Sequence, residues 1–89
     1  MNKHILLVMK WLDDKDSVTQ EELEANRDDA YAAHAAIYWA VAAAAYSAAA
    51  VYSAACAAKW VDTYFERSGE NKEDYINALK HNGVHDNEQ

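Results

Sequence analysis

Few side chains in this 89-residue chain are of types and spacings that could do chemistry. Ser47 and Ser53 are potential nucleophiles, but they sit in an alanine run far in sequence from any acid. No nucleophile–base pair is visible, and both serines read as fillers on a helix surface. His81 and His85 lie four apart with Asp86 adjacent, a spacing that puts two imidazoles on one face of a continuous helix. Asn82-Gly83 falls between them and is expected to break that helix, so a solvated tail is the plainer reading. His34 reads as a hydrogen-bonded packing residue rather than a ligand. With only two glycines, the chain has no phosphate-cradling loop. No catalytic residue, metal or cofactor is expected, and the chain reads as a non-enzyme.

Recognition chemistry is better represented. Placed on a helix at about 100° per residue, Tyr31, Tyr38, Tyr46, Tyr52, Trp60 and Tyr64 fall in a stripe about 120° wide, with Trp39 just beside it. Tyrosine and tryptophan give large, rigid contact area with a polar handle, which suits binding hot spots as well as cores. Tyr31, Tyr38, Trp39, Tyr46, Tyr52 and Trp60 are the expected anchors for a protein partner, and Asp28 and Asp29 would steer a basic one. The segment from Asp13 to Asp29 carries eight acids and two bases. Such a patch can mimic phosphate or dock on a basic surface. It also serves as a solvated connector with carboxylates at a helix N-terminus, and that structural reading is preferred. Fifteen acidic against eight basic residues give a formal charge of −7, which argues against direct nucleic-acid binding.

The element that must position these residues is set by the run from Ala30 to Ala58. Its 29 residues include no formally charged side chain, and more than half are alanine. Alanine has the best helix propensity, and neither proline nor glycine interrupts the run. Upstream, Ser17 with Gln20 and Thr19 with Glu22 both form capping-box pairs. Downstream, Ser68-Gly69 supplies a left-handed stop. The expectation is one long helix over about 18–67, flanked by short helices over about 3–12 and 72–81. Ile5, Val8, Met9 and Leu12 give the first its apolar face, and Asn71 caps the third. Residues 1–83 form a single helical domain, with 84–89 a flexible tail. If the long helix breaks midway, Trp39 is one place to look, because the bulky Ile37, Tyr38 and Val41 flank it.

On that helix a second face is made of small residues. Ala33, Ile37, Ala40, Ala44, Ser47, Val51, Ala54 and Ala58 occupy heptad positions that would let two helices approach closely. A chain of this length buries roughly 60–65% of its unfolded surface, too little to cover a 50-residue helix apolar all round. The architecture expected is therefore all-α, with the small-residue seam pairing copies into a coiled-coil-like homo-oligomer, a dimer. A membrane span is weighed and set aside: alanine is nearly neutral for insertion, and four basic residues on each side specify no orientation. No secretory signal is read, since the apolar stretch Ile5–Met9 is short and Lys10, Trp11 and Asp13 follow it. The single Cys56 excludes an intramolecular disulfide, fits a reducing cytoplasm and reads as a small buried hydrophobe.

The opening ILLVMKWLDDKDSVTQEELEAN, the alanine–tyrosine run and the later KWVDTYFERSGENKEDYINAL together resemble small Ala/Tyr-rich accessory proteins of large tailed bacteriophages. In that group a similar head and tail bracket a middle of variable length. The resemblance covers most of the chain, the middle by composition alone, and brings no catalytic motif with it. It implies an accessory phage product in the cytoplasm of a bacterial host. By analogy, it implies an inhibitor or modulator of a host defence or nucleic-acid-processing protein. The rivals to that function are a self-assembling structural protein, an acidic nucleic-acid mimic and a holin-type membrane protein.

Overall fold

Asn2 starts the first helix: its side-chain oxygen accepts the N–H groups of His4 (2.9 Å) and Ile5 (3.1 Å), two donors that a helix N-terminus leaves without partners. The computed structural model describes the backbone of residues 1–34 and 36–88, and side chains for 1–34 and 36–80. Helix α1 runs Lys3–Asp13 and buries Ile5, Val8, Met9 and Trp11, with Leu12 half-buried. A 3-10 turn over Lys15–Ser17 follows. Here one expected capping pair fails: the Ser17 hydroxyl donates to the Asp14 carbonyl (2.7 Å), closing the turn instead of capping a helix. The other pair holds. Thr19 Oγ1 accepts the Glu22 N–H (3.1 Å) and Glu22 Oε1 accepts the Thr19 N–H (2.8 Å), opening α2 over Gln20–Ala33.

The single long central helix does not form. The chain turns back after Ala33 and again after Val51, dividing the uncharged run into α3 (Tyr38–Tyr46), a π-helical turn (Ser47–Val51) and the start of α4 (Ala54–Ser68). Helices α2 and α3, and α3 and α4, run antiparallel. The Gln20 side chain, at the start of α2, donates to the Ala49 carbonyl in the π-helical turn beyond the far end of α3 (2.7 Å). Trp39, at the start of α3, meets Trp60 and Arg67 on α4. Helix α1 crosses this layer, touching α2, α3 and α4. The radius of gyration is 12.5 Å, close to the ~12 Å of a folded domain this long, whereas a 50-residue helix would extend about 75 Å.

Neither turn is made by glycine. His34 (φ 48°), Ile37 (φ 58°) and Tyr52 (φ 57°) all adopt the left-handed conformation. Such residues cost on the order of 1–3 kcal/mol each, and a β-branched residue is the least suited. What opposes that cost is burial. Folding back puts Ala40, Val41, Ala44, Ala45, Ala48, Ala49 and Ala57 into the core with Leu23, Val61 and α1, where the small side chains let backbones approach closely. One extended helix would leave those faces in water. The eight residues expected to form an intermolecular seam therefore do not share a face. Ala40, Ala44 and Ser47 are buried inside the chain, Ile37, Ala54 and Ala58 are half-buried, and Ala33 and Val51 are exposed.

Gly69 ends α4 with φ 75°, its N–H donating to the Phe65 carbonyl (3.2 Å), as its type predicts. Asn71 then caps α5 (Lys72–Glu88), accepting the Glu73 N–H (2.9 Å). The helix is assigned through the expected stop at Asn82-Gly83; glycine inside a helix costs about 1 kcal/mol, which does not forbid continuation. The side chains of His81, His85 and Asp86, and with them the side chains of the tail expected over 84–89 and residue Gln89 itself, lie outside the described residues. Among the described residues, no helix is long and apolar enough to cross a membrane.

Candidate interaction surface

The solvent face of α3 follows from what its other face buries. Ala40, Val41, Ala44 and Ala45 turn inward. Trp39 and Tyr46, seven residues and two turns apart, therefore turn outward together. Each is 48% exposed. At the end of the π-helical turn Val51 is exposed, and Tyr52, at 63%, more so. Ser47 helps fix this turn: its hydroxyl donates to the Ala43 carbonyl (2.8 Å), and its carbonyl accepts the Ser53 N–H (3.2 Å). Single π-helical turns recur at functional positions because they re-aim side chains.

Tyr31, on the last turn of α2, joins this surface from the neighbouring helix. Partial burial pushes its phenol up from the ordinary value; Arg27 opposes this, while Tyr46 and Tyr38 add to it. Asp28 and Asp29 lie exposed on the same helix, with Asp28 paired to Arg27 at 3.1 Å. Tyr38 is half-buried and stacks on His34, ring centroids 4.8 Å apart. Trp60 is half-buried too, and it meets the Trp39 ring edge-on at 6.2 Å. Two cations border that pair: the Arg67 guanidinium sits 5.7 Å from the Trp39 ring, and the Lys59 ammonium 5.8 Å from the Trp60 ring. The fold thus brings five expected anchors to α3 and its flanks. Tyr52 stands at the opposite end of α3 from Trp39.

Tyr64, placed by periodicity in the same stripe, goes elsewhere. It is buried, and its hydroxyl donates to Glu70 Oε2 (2.9 Å) while the buried Tyr75 phenol donates to Glu70 Oε1. The Tyr75 oxygen in turn accepts the Asn2 N–H (2.6 Å). The Tyr75 and Tyr64 hydroxyls hold the Glu70 carboxylate below the usual range, the former more strongly. Burial, then the Glu70 contact, push the Tyr75 phenol well up. This knot ties the start of α1 to the α4–α5 turn. A second buried pair ties α1 to α2: Asn26 donates to the His4 carbonyl (3.2 Å) and faces His4 Nδ1 with its oxygen (3.0 Å). No periodicity pointed to either arrangement.

Three smaller expectations change. Cys56 is exposed in the first turn of α4, because Ala57 is the residue of that turn facing inward. Ser47 is buried, and Ser53 accepts the Cys56 N–H (3.1 Å) as the cap of α4, so neither is a surface filler. Among the described residues, no group of three or more His, Cys, Asp or Glu is placed to hold a metal ion. No known protein family, curated protein or solved structure matches the chain.

Proposed function

We propose that the chain is a non-enzymatic binding protein whose exposed aromatic face docks on a protein of a bacterial host and modulates it, as an accessory product of a bacteriophage. The observation that carries this reading is the exposure of Tyr31, Trp39, Tyr46 and Tyr52 beside a core that is complete without them. Large aromatics kept in water at such cost to solvation mark contact surfaces more often than scattered aliphatics do. Asp28 and Asp29 next to Tyr31 favour a partner with basic groups at the rim, where charge sets encounter rate more than affinity. The resemblance to phage accessory proteins supplies the setting, and a defence or nucleic-acid-processing factor is the proposed class of target.

Trp39→Ala with Tyr46→Ala removes the centre of the face without touching the core. The tagged protein is used to capture partners from bacterial lysate, and each captured protein is purified and titrated against wild type and variant. One host protein bound by wild type and lost by the double variant, with helix content unchanged in circular dichroism, supports the reading. Equal binding by the two proteins removes the face as the site.

A further inference from the structure

The two turns that divide the alanine run are not equivalent. At Tyr52–Ser53 the Ser53 hydroxyl caps the next helix by accepting the Cys56 N–H (3.1 Å). At His34–Ile37 two residues are left-handed, one of them β-branched, and no side chain caps α3. His34, Ala36 and Ile37 are all residues that a helix accepts more readily than a left-handed turn does. The stacked His34 and Tyr38 rings are four apart, a spacing whose contact survives in a continuous helix. The backbone is thus held in a turn that its sequence would prefer to straighten.

On the N-terminal side of this turn, residues 1–33 are an arm of two helices packed on α3 and α4. Helices α1 and α2 are joined by the buried His4–Asn26 pair, both of whose bonds lie within the arm. Its Ile5, Val8, Leu23 and Ala30 share one core with residues of α3 and α4, the Gln20 side chain donates to the Ala49 carbonyl, and the Asn2 N–H donates to the Tyr75 phenol. None of these docking contacts requires that the two sides belong to one chain.

We propose that this protein forms a domain-swapped dimer in which residues 34–37 become helical, α2 and α3 join, and each arm of residues 1–33 docks on α3 and α4 of a second copy. Exchange conserves the docking contacts and relieves two left-handed residues, and a hinge that would rather be helical is the recognised route to swapping. The turn at Tyr52–Ser53 stays as it is. The inference does not rest on the host-protein reading, since neither the hinge nor the docking contacts above use Trp39, Tyr46 or Tyr52.

The test uses two full-length chains, both carrying Cys56→Ser, one with Gln20→Cys and the other with Ala50→Cys. They are mixed, unfolded and refolded together over a range of concentrations, then treated with a short thiol cross-linker. The expected result is a dimer fraction rising with concentration and linked 20-to-50 between chains, because position 20 of one copy then lies beside residues 49–50 of the other. His34→Ala with Ile37→Ala, which favours the straight hinge, raises the dimer association constant by about tenfold or more. His34→Gly with Ile37→Gly, which accepts the turn, lowers it. Three results overturn the proposal: wild type and the alanine pair monomeric at every concentration, a dimer without the interchain link, or a glycine pair that dimerises as well as wild type.

Discussion

Two helix turns in this molecule do the same job with different means. At Gly69 the left-handed residue is a glycine, its N–H is bonded, and Asn71 caps the helix that follows. At His34 and Ile37 the same backbone conformation is imposed on an imidazole and a β-branched side chain, with no side-chain cap. The first turn is specified locally and would turn in any context. The second exists because the alanine faces on either side of it bury one another. One part of the molecule is thus held by its own sequence, and the middle is held by packing.

The comparison breaks most visibly if the packing is not what holds the middle. Ala44→Glu places a carboxylate at a position with no exposed surface. An unpaired buried charge of this kind costs on the order of 3–5 kcal/mol, enough to unfold a domain of this size. The expected outcome is loss of the cooperative thermal transition in circular dichroism. An unchanged transition would mean that Ala44 is not in a core.

The next effect concerns the Tyr75–Glu70–Tyr64 knot. Tyr75→Phe leaves the Asn2 N–H and one Glu70 oxygen without their partner, and losses of this kind run to about 1–3 kcal/mol in urea denaturation. The same site sets a pH dependence. Glu70 titrates lower in the folded protein than its ordinary value of 4.5. Its contribution to stability is therefore present above that value and is lost as pH falls through the lower folded one. Glu70→Gln should flatten the decline in stability below about pH 4.5, with no change between there and neutral pH; an unaltered profile would assign the acid sensitivity elsewhere.

Two smaller changes sharpen the contrast between the turns themselves. Gly69→Ala meets no atom within 4 Å, so its cost is conformational alone, about 1 kcal/mol. Ile37→Gly relieves the same conformation while giving up some contact with the core, so its net effect should be near zero or stabilising. A loss for Gly69→Ala and none for Ile37→Gly, measured by the same denaturation, is the expected result; equal losses would contradict strain at Ile37. Thr19→Ala, which breaks the capping box of α2, should cost about 1 kcal/mol.

What could be read in the sequence follows the same division. The capping box at Thr19, the stop at Gly69 and the cap at Asn71 are local chemistry, and each appears where its residues predict. The all-helical class follows from propensity. The breaks at His34–Ile37 and Tyr52 were not legible, because local propensity there favours a helix and only the burial of alanine faces overrides it. Of the expected contact residues, Trp39 and Tyr46 fall on one outward face because their spacing stays within α3. Tyr64 went to the core, since the stripe was drawn on a continuous helix that the chain does not form. The Glu70 knot joins residues from Asn2 to Tyr75, a separation no periodicity spans.

The most direct test is the distance between spin labels placed at Glu21 and Ala50 in dilute, monomeric protein, both positions being exposed. Because the Gln20 side chain reaches the Ala49 carbonyl at 2.7 Å, the two labels should lie close together, at a short and narrowly distributed separation. A continuous helix would set them about 43 Å apart. That longer distance would contradict the folded-back alanine core, and with it the arrangement that turns Trp39 and Tyr46 outward.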